Sequence, residues 1–172
     1  MKKLSCILLL ICSVGKILNA QTALKNIPAA DIKTLDGKTI NTSKLSNDGN
    51  PIIISFWATW CKPCKKELDA ISEKYDEWTK QTNVKLIAIS IDDSRSALKV
   101  GADVKSKDWQ YDIYIDENQD FKRAMSVNSI PHTFIIDGKG NIVWQHNSYA
   151  EGDEDILYEA LKKVAAGEKL KE

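Results

Sequence analysis

One junction constrains this chain more than any other stretch. Pro51-Ile52-Ile53-Ile54-Ser55-Phe56-Trp57 leads through Trp60-Cys61-Lys62-Pro63-Cys64 into a helix-period pattern. The first run is too apolar to be half exposed, so it predicts a central strand covered on both faces. From Cys64 the apolar positions Leu68, Ile71, Tyr75 and Trp78 fall at steps of four, three, four and three, one stripe of an amphipathic helix. Two cysteines thus open a helix that packs on a buried strand.

The rest of the chain extends this unit on both sides. Residues Ala30 to Leu35, Asp36-Gly37 and Thr39-Ile40 predict a small hairpin, and Asn41 to Asn50 a polar connection. Val84 to Ile91 is a second buried-type strand. Ser94 can cap a helix with Ala97, Leu98, Gly101 and Val104 inward. Asp112 to Ile115 is a short strand, and Asn118 or Asp120 opens a short helix with Phe121, Ala124 and Met125 inward. Thr133 to Ile136, the turn Asp137-Gly138-Lys139-Gly140 and Asn141 to His146 form a second hairpin. Glu151 to Ala166 closes as a helix with Ile156, Leu157, Ala160, Leu161 and Val164 on one face and Gly167 as its stop. The order is β-hairpin, βαβαβ, short helix, ββα, an α/β chain with room for one domain in 172 residues.

Residues 1–20 read as an export signal that is cleaved. Lys2 and Lys3 precede an apolar stretch from Leu4 to Val14, and Leu18-Asn19-Ala20 offers the cleavage site, so the mature domain spans 21–172. The apolar stretch is too short for a spanning helix, which needs roughly 20 residues. Bulky Ile11 before Cys12 argues against a lipoprotein anchor. Of the four cysteines, Cys6 and Cys12 leave with the signal, and Cys61 and Cys64 remain as one thiol pair. Loss of Lys2, Lys3 and Lys16 also leaves the 24 acidic residues in excess by three. No basic field is present to attract nucleic acid.

At a helix start, Cys61 faces unpaired backbone N–H groups and the positive end of the helix dipole, which favour thiolate. Cys64, one turn on and in line with Leu68 and Ile71, is shielded by the core. Cys61 is therefore the attacking thiol and Cys64 the resolving one. A structural disulfide is the first alternative, yet so small a loop gives little chain-entropy stabilisation. Half of a zinc site is the second, for which only His132, His146 and carboxylates remain as further ligands. Glu67, three residues beyond Cys64, can relay its proton; a solvated glutamate beside Lys65 and Lys66 is the competing reading. Lys62 can favour the Cys61 thiolate, and His132 can touch the disulfide or a partner. Pro131 restricts Ile130 to extended backbone and removes a ladder donor where a strand begins. No Pro-x-x-x-Thr-x-x-Cys pattern precedes Cys61, which argues against a peroxidase.

Phe56-Trp57-Ala58-Thr59-Trp60-Cys61-Lys62-Pro63-Cys64-Lys65-Lys66-Glu67 resembles the active-site segment of TlpA-like and ResA-like thioredoxin-fold proteins. Ile130-Pro131-His132-Thr133-Phe134-Ile135-Ile136-Asp137 resembles their proline loop and following strand, and Leu35-Asp36-Gly37-Lys38 their N-terminal extension. The resemblance spans about residues 27–166. It implies a thioredoxin fold: a central mixed sheet flanked by helices, with an N-terminal β-hairpin extension and a cis bond before Pro131. It places a partner's extended backbone against Trp60, Pro63, Ile130 and Pro131, and Glu67 on the acidic position of ResA-like members. Ser55 replaces the buried aspartate of thioredoxin itself, and His132 stands where many relatives carry threonine.

The activity so implied is exchange of the CxxC dithiol or disulfide with cysteine-containing protein substrates. Relatives act as extracytoplasmic or periplasmic reductants, in c-type cytochrome maturation among other roles, fed by a membrane-bound thiol electron carrier. The resemblance implies no metal and no cofactor beyond the Cys61–Cys64 pair. Within the same chemistry an oxidase or isomerase is the alternative; a copper(I)-binding chaperone using Cys61, Cys64 and His132 is a more distant one.

Overall fold

The computed structural model describes residues 26–170, which fold into a seven-stranded mixed sheet in the order β2-β1-β5-β4-β3-β6-β7. The signal read at residues 1–20 lies outside the described residues. The strands are β1 (Asp31–Thr34), β2 (Thr39–Asn41), β3 (Ile52–Trp57), β4 (Lys85–Ser90), β5 (Asp112–Ile115), β6 (His132–Ile136) and β7 (Ile142–Asn147). The helices are α1 (Lys62–Thr82), α2 (Ala97–Lys107), α3 (Asp120–Ala124) and α4 (Asp153–Ala165). Thr42–Lys44 adds one 3-10 turn inside the polar connection. The element order read from the sequence is the order observed.

Strand β3 is buried from end to end, as its apolar run requires. It lies parallel to β4 and antiparallel to β6, and β4 lies parallel to β5. Parallel neighbours need crossovers, and two right-handed crossovers in the same direction put α1 and α2 on one face. Tyr111 then donates its hydroxyl to the Leu68 carbonyl at 2.8 Å, and Trp109 Nε1 donates to Asp69 at 3.1 Å. Helix α4 packs beside α1. On the opposite face Phe56 meets Phe121 of α3 at 5.3 Å and Phe134 at 6.1 Å between ring centres. Alternation along β3 thus sends Ser55 and Trp57 towards α1, and Phe56 towards α3.

Three expectations are corrected. Leu98 is 90% exposed and Val100 takes its place inside, because the inner stripe of α2 is Ala97, Val100, Gly101 and Val104, a regular helical step. Ser94 does not cap α2: the helix begins at Ala97, and Asp93 Oδ1 accepts from the Arg95 and Ser96 backbone N–H groups. Ile156 is also exposed; Glu154, Leu157, Ala160 and Leu161 form the buried side of α4. Gly167 ends α4 as expected, at φ 74°, with the Gly167 and Glu168 N–H groups donating to the Val164 and Lys163 carbonyls.

Candidate active site

The junction that opened the sequence becomes a strand, a tight turn and a helix start. Cys61 N–H donates to the Ala58 carbonyl at 3.0 Å, closing the turn at the end of β3. Asp92, buried just beyond β4, fixes that turn: Thr59 donates to it from its backbone N–H at 2.8 Å and from Oγ1 at 2.7 Å. Ser90 Oγ donates to the same carboxylate at 2.7 Å. Cys61 caps α1, with its sulfur accepting from the Cys64 backbone N–H at 3.3 Å, and Pro63 occupies the first turn, where its missing donor costs nothing. Cys61 and Cys64 form a disulfide with Cα atoms 5.4 Å apart. Cys64 is fully buried while Cys61 retains 5% exposure, so an incoming sulfur meets Cys61 first.

Glu67 is not a solvated surface glutamate. It is 4% exposed, on the same buried helix face as Cys64 and Leu68. Thr133 Oγ1 donates to its Oε1 at 2.9 Å and Ser55 Oγ to its Oε2 at 3.2 Å; Thr133 and Ser55 are also 3.1 Å apart. Burial pushes the carboxyl pKa up, and the two hydroxyls hold it back only partly, leaving it at about 7. An acid of that strength exchanges a proton readily at neutral pH. Ser55 and Thr133 were missed as ligands of Glu67, although a polar residue inside each of two apolar strands requires a partner.

Sheet register also assembles the proline loop. Phe56 pairs with His132, so Pro131 arrives at the same sheet end as the cysteine motif, joined to Ile130 by a cis bond. Trp60 is 66% exposed and Pro63 exposed beside it, while Ile130 is half-buried. Lys62 is exposed on the first turn of α1. His132 faces the α3 side, away from Glu67: its ring stacks on Phe134 at 4.4 Å and Nε2 meets Gln145 Oε1 at 3.1 Å. Burial lowers its pKa, because desolvation disfavours the charged ring. Among the described residues no group of three His, Cys, Asp or Glu side chains gathers as metal ligands. No helix among them is long and apolar enough to cross a membrane.

Comparison with known proteins agrees with this geometry. Residues 24–145 match the AhpC/TSA family. The chain is 31% identical over 140 residues to the thiol-disulfide oxidoreductase ResA of Bacillus thuringiensis subsp. konkukian, covering 81% of this chain and 77% of the relative. It is 31% identical over 145 residues to ResA of Bacillus subtilis, covering 80% and 78%. A thioredoxin-like protein of Porphyromonas gingivalis, solved in solution, superposes with a TM-score of 0.74 at 47% identity, covering 81% of this chain and 92% of that one. The fold, the paired cysteines and these relatives converge: the chain belongs to the AhpC/TSA family and, within it, to the ResA-type thiol-disulfide oxidoreductases.

Proposed function

We propose that this oxidoreductase works outside the cytoplasm as a disulfide reductase, with Cys61 as attacking thiol, Cys64 as resolving thiol and Glu67 as the acid between Cys64 and solvent. The observation that carries the reading is the buried carboxyl of Glu67, held by Ser55 and Thr133 one helical turn from Cys64. In the forward reaction the Cys61 thiolate attacks one sulfur of a partner disulfide and the other partner sulfur leaves as thiolate. Cys64 gives its proton to the Glu67 carboxylate, and its thiolate attacks Cys61. The Cys61–Cys64 disulfide forms, the second partner sulfur leaves, and both partner thiolates take up protons. The partner gains two electrons and the pair loses two.

The surroundings of Cys64 support this direction, against the helix-start stabilisation of the Cys61 thiolate, which works the other way. Burial and a nearby carboxylate both disfavour its thiolate, which destabilises the thiolate form of the reduced pair and makes it a better donor. Exposed Trp60 and Pro63, with half-buried Ile130 and the buried Pro131 behind it, mark where the partner's backbone would lie. The export signal at residues 1–20 supports a periplasmic or other extracytoplasmic site for a mature domain starting near Gln21. There the oxidised pair would be reloaded by a membrane-bound thiol carrier, and cysteine pairs of apocytochromes c are the expected substrates. The test is reduction of insulin and of an apocytochrome c disulfide by the mature protein, alongside the potential of the pair in thiol buffers. A potential of about −250 mV or lower, with activity abolished in Cys61→Ser, supports a reductase; a value near −120 mV would overturn that direction.

A further inference from the structure

Three hydrogen bonds tie the proline loop to the end of β7. Ser129 Oγ donates to Asn147 Oδ1 at 2.9 Å, the Ser148 backbone N–H donates to the Pro131 carbonyl at 3.0 Å, and His132 Nε2 meets Gln145 Oε1 at 3.1 Å. They fall on both sides of Ile130. Ile130 itself lies outside β6, and among the described residues its N–H and carbonyl take no backbone partner. The anchor is in turn held from behind. Ser148 turns the chain out of β7 at φ 75°, a left-handed conformation unfavourable for a residue with a Cβ. The loop that follows is fastened to the start of α4, where the Ala150 N–H donates to Asp153 at 2.7 Å and the Tyr149 hydroxyl to Glu154 at 2.8 Å.

His132 is an expensive way to fill its place. It is 8% exposed, and its Nδ1 is buried without a partner among the described residues, which an apolar side chain would avoid. What the ring adds is reach. The residue directly opposite His132 is Asn147, whereas Gln145 stands opposite Phe134, so the bond to Gln145 is a diagonal one that only an aromatic or long side chain spans. Gln145 is the one hydrogen-bonding contact of the ring among the described residues.

We propose that Gln145 and Asn147 are positioning residues for partner recognition: from the end of β7 they hold His132 and Ser129, and between these the backbone of Ile130 on which an extended segment of the partner lies. This rests on the reading of Ile130 and Pro131 as the partner surface. The cysteines do not depend on these bonds, because the turn after β3, Asp92 and the start of α1 fix them. The two side chains therefore act on the binding of a polypeptide and leave the sulfur chemistry alone. A loop released from them must be ordered by each incoming partner, which weakens binding. A small disulfide with no backbone to lay along Ile130 is indifferent to that ordering.

The test compares insulin with cystamine, a disulfide without a peptide backbone, as substrates of the mature protein with dithiothreitol as reductant. Gln145→Leu combined with Asn147→Ala raises KM for insulin by about five-fold or more, while kcat, the cystamine rate and the potential of the pair stay within about two-fold or its equivalent of wild type. Gln145→Glu keeps an accepting oxygen for His132 and keeps the wild-type KM. Should the double variant not fold, Asn147→Ala alone, at an exposed position, carries the same comparison with a rise of about two-fold. An unchanged KM for insulin, or a loss shared equally by cystamine, overturns the proposal, since the bonds would then serve the fold alone. The reading of the partner surface is tested separately by Ile130→Asp: if that protein reduces insulin with the wild-type KM, the reading fails, whatever the β7 variants show.

Discussion

Replacing Glu67 by Gln makes a pH-dependent difference in stability whose sign follows from burial. The folded protein holds the Glu67 proton up to about pH 7, whereas the unfolded chain releases it near 4.5, as an ordinary glutamate does. Between those values the folded state binds more protons, so this carboxyl lowers stability as pH rises through the window. A shift of that size corresponds to roughly 3 kcal/mol at full ionisation, at 1.36 kcal/mol per unit. Glutamine keeps the acceptor for Thr133 and can donate to Ser55, but carries no charge. At pH 5, where only the unfolded chain has begun to ionise, the variant should therefore lead by less than about 1 kcal/mol. Above pH 8 the variant should be the more stable by about 2–3 kcal/mol, a midpoint increase on the order of 1 M urea. Tryptophan fluorescence reports the transition, since Trp57, Trp78 and Trp109 are buried; both proteins are kept oxidised so that the disulfide does not contribute to the difference. Equal stability differences at pH 5 and above pH 8 would refute the argument, because Glu67 would then ionise as it does in the unfolded chain.

Gly138→Ala should destabilise by more than about 2 kcal/mol in thermal unfolding, because a Cβ there would fall 1.8 Å from the Gly49 backbone carbonyl oxygen, which no rotamer change relieves. Asp92→Ala removes the acceptor for both Thr59 donors and for the buried Ser90 hydroxyl proton, while Ser90 Oγ still accepts from the backbone N–H of residue 92. It should cost about 2–4 kcal/mol and slow alkylation of Cys61 in the reduced protein. Cys64→Ser should accumulate the mixed disulfide between Cys61 and a partner, visible as a shifted band on non-reducing gels; a failure to trap it argues against the assigned order of attack.

The fold was legible where one periodicity dominated. The β3 run, the Cys64-to-Trp78 stripe and the two hairpins each have a single burial pattern that satisfies them, and each forms where its pattern predicts. Helices α2 and α4 were read less well at Leu98 and Ile156. Both helices have only one side against the protein, and a large apolar residue at the border of such a stripe can remain in water at modest cost. Ser94 failed for a different reason: the Asp93 carboxylate closes the turn ahead of α2 by accepting from the Arg95 and Ser96 N–H groups, and the helix starts two residues later than a Ser94 cap requires, behind Ser96, whose side chain makes no cap bond.

The site was legible at its sulfurs and only half legible at its acid. Helical spacing puts Glu67 beneath Cys64, but spacing does not say whether a glutamate beside two lysines turns to water or inward. What decides it lies on two strands separated from Glu67 by 12 and 66 residues. Ser55 and Thr133 are polar residues inside buried strands, and each needs a hydrogen-bond partner there. They can bond to one another, yet two hydroxyls share one good bond and leave acceptor and donor capacity over. A carboxyl between them takes both protons and, when protonated, returns one. That completes the bonding of all three groups without water and keeps the acid neutral enough to remain buried. The same arrangement makes it useful: a carboxyl fully paired with charged donors would stay ionised, while one held by two hydroxyls in an apolar core can gain and lose a proton as Cys64 does.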